Sequence, residues 1–359
     1  MSFISDFFVG ILTGYIALTN TLAADITSLF TNESDQTTVN TEVDSDSFLN
    51  KLPSRLSSIP DILLQSAEYQ QASLGDATGL NDPTTTDPLD AIVNIFCTFR
   101  SDTQIRTTTG TGFFIDPDGV IMTNAHVAQF LLLAATDEYG SAECVVRSGN
   151  PAAPTYTADL LYIPPAWVQE NAAILNDAVP MGTGERDYAL LYVDATISGE
   201  PLPAMFPALP FSTDFLSVDV RESDVTAAGY PAGDLLREGA SVDLIPRKAA
   251  TSISELYTFG SNRADVFSIR GTVVGAEGAS GGPVVNDEGE VIGVIVTRGD
   301  DATDGPGSLR AITLSHVNST IEEETGFTLT GHLNGNLQAR ADIFEQTLTP
   351  FLVALLQQG

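Results

Sequence analysis

Lysine, histidine and cysteine are scarce in this sequence, whereas acidic residues are abundant. Only two lysines occur, Lys51 and Lys248, and 47 acidic residues outnumber 15 lysines and arginines, so that the formal net charge is -32. Because proteins bind the phosphates of nucleic acids through basic side chains, we expect no nucleic-acid partner. The same charge disfavours binding to an anionic membrane surface.

The scarcity of histidine and cysteine argues against metal sites and disulfide-rich scaffolds. The chain has three histidines and two cysteines, and no Cys-x-x-Cys pair. A structural zinc site usually takes four Cys or His ligands, and a disulfide-stapled domain needs more cysteines than these. We therefore expect neither a metal nor another cofactor.

The acidic surplus bears on the environment in which the protein works. Like charges keep a protein soluble through self-repulsion, and salt screens that repulsion. An acidic, lysine-poor surface resembles those of proteins from salt-adapted organisms, which makes a high-salt environment one hypothesis.

The first 30 residues are apolar and carry little charge. Residues 7–24 form an uncharged run of 18 residues, which is at the short end for a membrane span, and no positively charged segment precedes it as in a secretory signal. Three interpretations stay open: an atypical export signal, a membrane anchor, or an amphipathic helix at residues 3–30 that packs on the domain or on a partner. Together they favour an exported or membrane-anchored protein over a cytoplasmic one. Residues 31–88 are interpreted as an acidic linker with a short helix at about 60–74.

From residue 89 onward, short β-rich runs alternate with turn sequences. The runs are Ala91–Arg100, Gly112–Ile115, Val120–Thr123, Ala142–Arg147, Ala189–Val193, Val225–Gly229, Val266–Val274, Pro283–Val285 and Val291–Thr297. Such spacing is typical of an all-β sandwich or barrel. Part of the proline-containing stretch at about 137–185 is interpreted as a surface insertion. Residues 331–359 are predicted to form a C-terminal helix that is broken or bent near Pro350.

Ser280 is a candidate nucleophile. It lies in the sequence Gly-Ala-Ser-Gly-Gly-Pro at 278–283. A serine hydroxyl needs a base and a set of donors for the oxyanion, and flanking glycines let the backbone bend so that two N–H groups face one oxygen. His126, just after one predicted strand, and Asp187, just before another, are candidates for the base and for the carboxylate that orients it. Each residue also has a purely structural interpretation. Ser280 would lie in a glycine-rich turn, His126 would hydrogen-bond to the backbone of a loop, and Asp187 would be a turn or cap residue at the start of a strand.

These motifs together resemble a known family. The segments that carry the resemblance are Gly110–Ile115, Thr123–His126, Asp187–Leu191, Gly278–Pro283, Gly289–Gly293 and Ala311–Ile312. The sequence resembles the trypsin-like serine protease superfamily and is most similar to its HtrA/Deg-type branch, without a PDZ domain. The resemblance covers about residues 89–320, within a protease domain assigned to 89–330. It implies a mainly β fold, two six-stranded antiparallel Greek-key β-barrels with the active site between them.

The resemblance implies a role for each candidate side chain. His126 would act as general base toward Ser280, and Asp187 would orient the imidazole. The backbone N–H groups of Gly278 and Ser280 would form the oxyanion hole. In one respect the sequence departs from the digestive branch of the family. Ala279 stands where that branch has an aspartate that orders the loop before the nucleophile, so another contact must order it here.

The resemblance also places the two cysteines and a substrate pocket. Cys97 falls on the first strand of the first barrel and Cys144 on the fourth, which are neighbours in this fold. A disulfide and two buried thiols are both consistent with that placement. The residues that would line the pocket are Val274, Gly275, Thr297 and Arg298. This set suggests that the pocket accepts small or medium apolar side chains of the substrate. The alternative is a preference for acidic side chains, which Arg298 would bind.

The predicted function is that of a serine endopeptidase acting on a protein or peptide substrate. The alternative is a catalytically silent, protease-like scaffold that binds a peptide or a partner protein in a larger assembly. A third hypothesis is processing of one dedicated partner, or of the chain's own acidic linker. The sequence leaves the oligomeric state and the natural substrate open.

Overall fold

The protein is described by a computed structural model for residues 63, 66–73, 82–100, 105–134, 141–172, 184–233, 243–260 and 262–356. Within these ranges, twelve strands form two closed six-stranded antiparallel barrels. The mainly β fold and the two-barrel architecture predicted from the sequence are confirmed. The sequence-based interpretations of residues 1–30 and of most of the acidic linker lie outside the described residues.

The first barrel has the strand order β1-β2-β3-β6-β5-β4. Its strands are β1 (Ile92–Arg100), β2 (Ile105–Asp116), β3 (Val120–Thr123), β4 (Ser141–Ser148), β5 (Ala153–Tyr162) and β6 (Ala189–Thr196). The turn between β2 and β3 follows from its sequence, because the Asp116 side chain accepts a hydrogen bond from the Asp118 N–H at 2.8 Å and Gly119 adopts a φ of 96°.

The second barrel repeats this arrangement with the order β10-β11-β12-β9-β8-β7. Its strands are β7 (Asp224–Gly229), β8 (Arg247–Tyr257), β9 (Val266–Ile269), β10 (Pro283–Val285), β11 (Val291–Arg298) and β12 (Leu309–Thr313). All residues of β9 and β10, and the first six of β11, are buried. The short β10 strand pairs with both β7 and β11, so the segment that precedes it is held against the barrel.

Nine helices accompany the barrels in the described part of the chain. They are α1 (Ala67–Ser73), α2 (Pro88–Ala91), α3 (Ala125–Ala134), α4 (Pro165–Asn171), α5 (Asp301–Asp304), α6 (Leu314–Thr325), α7 (Leu329–His332), α8 (Leu337–Thr347) and α9 (Thr349–Leu356). The C-terminal helix is interrupted at Leu348, near the proline, as the sequence predicted. Pro350 fits the first turn of α9 because it has no backbone N–H to donate. None of the helices in these ranges is long and apolar enough to span a membrane.

A buried arginine ties the C-terminal helices to α1. Arg340 on α8 is completely buried, and its guanidinium donates to the backbone O of His332 at 2.7 Å and to the Tyr69 hydroxyl at 3.2 Å. It also lies 2.7 Å from His332 Nδ1. Burial, aided by the positive charge of Arg340, holds the pKa of His332 well below its usual value. The histidine is therefore neutral and accepts from the arginine through Nδ1.

The two cysteines lie opposite each other on adjacent strands. Cys97 of β1 pairs in register with Cys144 of β4, and their Cα atoms are 4.0 Å apart. The structure joins them by a disulfide bond between β1 and β4 of the first barrel.

Two segments differ from their sequence-based interpretation. Within the stretch at about 137–185 that was interpreted in part as a surface insertion, Ala153–Tyr162 forms β5 of the first barrel, whereas the run expected as a strand at Ala142–Arg147 lies in β4 as predicted. The run expected as one strand at Val266–Val274 ends at Ile269. Beyond that point the backbone bonds to the end of helix α5 and the loop after it, since the Gly271 N–H donates to Asp304 O at 2.8 Å and the Thr272 N–H to Gly307 O at 3.0 Å.

Candidate active site

Strand register in the first barrel brings His126 and Asp187 together. β3 and β6 are antiparallel neighbours, and Thr123 lies opposite Ala189. His126 follows Thr123 by three residues, and Asp187 precedes Ala189 by two. Because antiparallel partners place the end of one strand beside the start of the next, both side chains lie at the same end of the barrel.

The two side chains form a close, buried pair. His126 Nδ1 lies 2.8 Å from Asp187 Oδ2, and the backbone N–H of His126 donates to Asp187 Oδ1 at 3.0 Å. Asp187 is completely buried, and His126 is 5% exposed. Since an ionised carboxylate only accepts hydrogen bonds, Nδ1 carries a proton in this pair, and in the neutral form of the ring Nε2 keeps its lone pair. The neutral imidazole is thus in the tautomer that can accept a proton through Nε2.

Helix α6 holds the backbone on both sides of Asp187. Arg186 has an unusual φ of 53°, and its Nε lies 3.1 Å from Oε1 of Glu324 on α6. The Tyr188 hydroxyl lies 2.9 Å from Thr320 Oγ1 on the same helix. A non-glycine residue in the left-handed region is strained, and these contacts stabilise it.

The buried carboxyl of Glu324 is central to this attachment. The Tyr162 hydroxyl donates to its Oε2 at 2.6 Å, and Arg186 contacts its Oε1. Burial raises the pKa of Glu324, and the Tyr162 hydrogen bond and the Arg186 charge oppose that rise.

The segment around Ser280 is fixed through four consecutive backbone carbonyls. The carbonyl oxygens of residues 277–280 each accept one hydrogen bond: Glu277 from Ala232 N at 2.6 Å, Gly278 from Thr111 Oγ1 at 2.6 Å, Ala279 from Gly282 N at 3.0 Å, and Ser280 from Thr111 N at 2.7 Å. Thr111 lies on β2, so the first barrel supplies two of these four donors. The loop of the second barrel is thereby attached to the first.

These hydrogen bonds also fix the direction of two backbone N–H groups. A peptide unit is planar, and its N–H points away from its C=O. The bonds to Glu277 O and Ala279 O therefore orient the N–H groups of Gly278 and Ser280. Neither N–H donates a hydrogen bond to any residue that the structure describes.

Two glycines are required where this loop meets its neighbours. Gly278 has a φ of 91°, and a Cβ atom there would lie 2.5 Å from Tyr230 O. Gly281 has a φ of 88°, and its Cβ would lie 2.5 Å from Thr123 Oγ1. Thr123 comes three residues before His126, so the loop that bears Ser280 lies against the strand that leads into His126.

Ser280 itself is partly exposed, and its hydroxyl makes no hydrogen bond within the described ranges. The neighbouring Ala279 is buried and packs in the hydrophobic cluster of the second barrel. The sequence left open what orders the loop in place of an aspartate at this position, and the contacts of Thr111 and Ala232 provide that order.

The residues predicted to line a substrate pocket have different environments. Val274 is completely buried in the cluster of the second barrel. Gly275 packs closely against the backbone of Gly307. Thr297 is half-buried, and Arg298 is exposed at the end of β11. The pocket stays a prediction. Across the described ranges, no cluster of three or more His, Cys, Asp or Glu side chains could hold a metal ion.

Comparison with known families identifies the family of this domain. The family model of the trypsin-like peptidase domain matches residues 110–294, just over half of the chain. The chain belongs to this family. The matched range of the trypsin-like peptidase domain contains His126, Asp187 and Ser280. Peptidase is therefore the class of enzyme to which the protein is assigned.

Two solved structures are similar to this chain over about two thirds of its length. The chain is similar to an inactive-form mutant of Rv3671c from Mycobacterium tuberculosis H37Rv, with 22% identity over 69% of this chain and 92% of that one, at a TM-score of 0.40. It is also similar to the active form of the Rv3671c protease from M. tuberculosis, with 24% identity over 69% and 86% of the two chains and a TM-score of 0.40. No curated protein sequence gave a significant match.

Sequence reasoning missed two contributors to the site. Thr111 lies in the Gly-Thr-Gly motif that carried part of the family resemblance, and the signal available in the sequence was a hydroxyl side chain between two glycines. Glu324 gave no local signal, because its contact with Arg186 joins positions 138 residues apart in the sequence (324 − 186).

Proposed function

We propose that the trypsin-like domain is a serine endopeptidase, with Ser280 as nucleophile, His126 as general base and Asp187 as the residue that orients the imidazole. The single observation that carries this proposal is the His126–Asp187 pair, in which Nδ1 lies 2.8 Å from a completely buried carboxylate. A buried carboxylate that accepts from Nδ1 leaves Nε2 available to accept a proton from a serine hydroxyl.

In the proposed first step, Ser280 Oγ attacks the carbonyl carbon of the scissile peptide. The hydroxyl proton passes to His126 Nε2, and the carbonyl oxygen becomes an oxyanion. The tetrahedral intermediate collapses when the C–N bond breaks and the imidazolium gives its proton to the leaving amine. Water then attacks the acyl-enzyme by the same route, which releases the acid product and restores the hydroxyl. Asp187 stabilises the imidazolium that forms in each half of the cycle.

The N–H groups of Gly278 and Ser280 would stabilise the oxyanion. Both are oriented by hydrogen bonds to neighbouring carbonyls, and neither is used by another described residue. Donors that are oriented before the reaction need not reorganise when charge develops, which makes them effective in catalysis. This arrangement supports the proposal independently of the histidine pair.

Ser280 and His126 are not hydrogen-bonded to each other among the described residues. Catalytic hydrogen bonds are often long in proteases without substrate and shorten in the complex with substrate. We propose that binding of an extended peptide in the cleft between the barrels brings the hydroxyl within reach of Nε2. The proposed substrate side chain that enters beside Val274, Gly275, Thr297 and Arg298 is small or medium and apolar.

A fluorophosphonate reagent tests this proposal, because it reacts with a serine only when that serine is activated. We expect one adduct per wild-type chain, located by peptide mapping at Ser280, and none in Ser280→Ala. The matched control is Ser198→Ala, which removes an exposed serine after β6 and is expected to react as the wild type does. The net charge of -32 makes folding sensitive to screening, so labelling is measured from low to molar salt with circular dichroism as a check. A folded wild type that stays unlabelled throughout would favour the silent scaffold.

A further inference from the structure

Every polar group of Thr111 makes a hydrogen bond, and three of these four bonds reach the second barrel. Its hydroxyl donates to Gly278 O at 2.6 Å and accepts from Tyr230 N at 2.9 Å. Its backbone N–H donates to Ser280 O at 2.7 Å, and its carbonyl accepts from Thr123 Oγ1 at 2.7 Å. The side chain is completely buried.

We propose that the Thr111 hydroxyl is a positioning group that holds the peptide units on both sides of Gly278, and with them the Gly278 N–H, in the orientation required for oxyanion stabilisation. This inference rests on the proposed serine endopeptidase function. In this role the hydroxyl orders the loop in place of an aspartate. The digestive branch of the family has that aspartate at the position where this chain has Ala279. Thr111 contacts the loop and not the substrate, so it acts through the oxyanion donors rather than as a catalytic residue.

The geometry of the loop explains why one hydroxyl has this effect. Gly278 adopts a φ of 91°, a conformation that glycine leaves with little steric cost. The peptide unit between Gly278 and Ala279 has a hydrogen bond at each end. Thr111 Oγ1 donates to its carbonyl oxygen at 2.6 Å, and its N–H, that of Ala279, donates to Ala276 O at the longer distance of 3.2 Å. The N–H of Gly278 belongs to the preceding Glu277–Gly278 peptide. Without the hydroxyl, the Gly278 carbonyl and the Tyr230 N–H each lose a partner, so both peptides that meet at Gly278 are held less firmly and the Gly278 N–H can turn away from the oxyanion.

The hydroxyl also links this loop to a second one. By accepting from the Tyr230 N–H it fixes the backbone just before Ala232, and the Ala232 N–H in turn donates to Glu277 O at 2.6 Å. A single side chain of the first barrel therefore stabilises both peptide units that flank Gly278, one directly and one through the segment 230–232.

The variants Thr111→Ser and Thr111→Ala form a matched pair for the test. Both lack the γ-methyl group, and they differ only in the hydroxyl. We expect Thr111→Ser to keep kcat for a peptide substrate within about threefold of wild type. Thr111→Ala is expected to lower kcat by about 10- to 100-fold, because loss of one oxyanion donor typically costs about 10²–10³ in rate and here the donor is misoriented rather than removed. KM should change little, since the interaction is made in the transition state.

A second readout separates this role from a general loss of structure. The inhibition constant of a peptide boronic acid, which mimics the tetrahedral intermediate, should rise in Thr111→Ala in parallel with the fall in kcat/KM. Thr325→Val removes another completely buried threonine hydroxyl, one that bonds within the C-terminal helices, and should leave kcat within about threefold. In both comparisons, activity is calculated per folded molecule, and the folded fraction is measured by circular dichroism.

The outcomes distinguish the inference from the proposed function. If the wild type does not hydrolyse peptides or react with a fluorophosphonate, the proposed function fails. If the wild type is active and folded Thr111→Ala keeps its kcat, the proposed function stands and the inference is overturned. Equal losses in Thr111→Ser and Thr111→Ala would also overturn it, because the hydroxyl would then not be the group that matters.

Discussion

Replacing Ser280 with alanine is expected to reduce kcat for peptide hydrolysis by about 10⁶-fold, with no measurable change in stability. The loss follows from the proposed mechanism, since removal of a nucleophilic serine has this order of effect where His and Asp are left in place. Stability should be unchanged because the Ser280 hydroxyl makes no hydrogen bond within the described ranges. The four carbonyl contacts that fix the loop involve backbone atoms of residues 277–280, which alanine at position 280 keeps.

Progress curves with a fluorogenic peptide and thermal unfolding measure the two expectations together. Wild type, Ser280→Ala and the control Ser198→Ala should unfold at the same temperature, while only Ser280→Ala loses turnover. A residual rate above background in Ser280→Ala must be checked for contaminating protease with the fluorophosphonate reagent. If purified Ser280→Ala retained a substantial part of the wild-type kcat, another residue would be the nucleophile.

The second large effect is expected for Asp187→Asn, which should lower kcat by about 10⁴-fold and leave KM nearly unchanged. Asparagine keeps the shape of the side chain, and its oxygen can still accept from the His126 backbone N–H, as Asp187 Oδ1 does at 3.0 Å. Its amide NH₂ would then face His126 Nδ1, so the ring must accept there and carry its proton on Nε2. In that tautomer Nε2 cannot take the proton of Ser280, which is the reason for the loss.

A second His–Asp pair provides a matched control for Asp187→Asn. His316 Nδ1 lies 3.1 Å from Asp265 Oδ1, where helix α6 begins beside the second barrel. Asp265→Asn makes the same chemical change in a pair that has no part in the proposed mechanism. We expect it to affect stability while keeping kcat within about threefold per folded molecule. If both substitutions lowered kcat equally, the effect of Asp187→Asn would be structural, and its proposed role in orienting His126 would be contradicted.

The sequence predicted the parts of the site that local motifs encode. The turn at 116–119, the strand that ends at Thr123 and the segment around Ser280 all have strong local signals, and the two-barrel fold followed from the resemblance that they carry. The disulfide partners were also placed on the correct neighbouring strands, although the sequence left the bond itself open. The turn, the strand end and the nucleophile segment are determined by residues close in sequence, whereas the placement of the two cysteines, which are 47 residues apart, came from the resemblance.

The features that the sequence did not reveal depend on contacts between distant segments. Strand β8 (Arg247–Tyr257) has only two fully buried residues, so no alternation of apolar side chains marks it, and it is recognised only by its pairing with β7 and β9. Residues 270–274 contain two adjacent valines typical of a strand, but Gly271 and Gly275 approach the backbone of the 305–307 loop too closely for a regular one.

The same reasoning applies to the order of the nucleophile loop. Ala279 indicated that the usual aspartate is missing, but no local pattern indicated its replacement. The hydroxyl of Thr111 reaches Gly278 across a sequence separation of 167 residues. A local motif can therefore identify the nucleophile, whereas the groups that orient its loop depend on the packing of one barrel against the other.

The most direct test of the account is a crystal structure of the protein with a peptide boronic acid bound. We predict a covalent bond from boron to Ser280 Oγ, with one boronate oxygen at about 2.7–3.1 Å from both the Gly278 and Ser280 nitrogens, and with His126 Nε2 within hydrogen-bond reach of the tetrahedral centre. The Gly278 carbonyl should remain bonded to Thr111. A boronate attached to another residue, or one attached to Ser280 whose oxygens contact neither backbone nitrogen, would contradict the account.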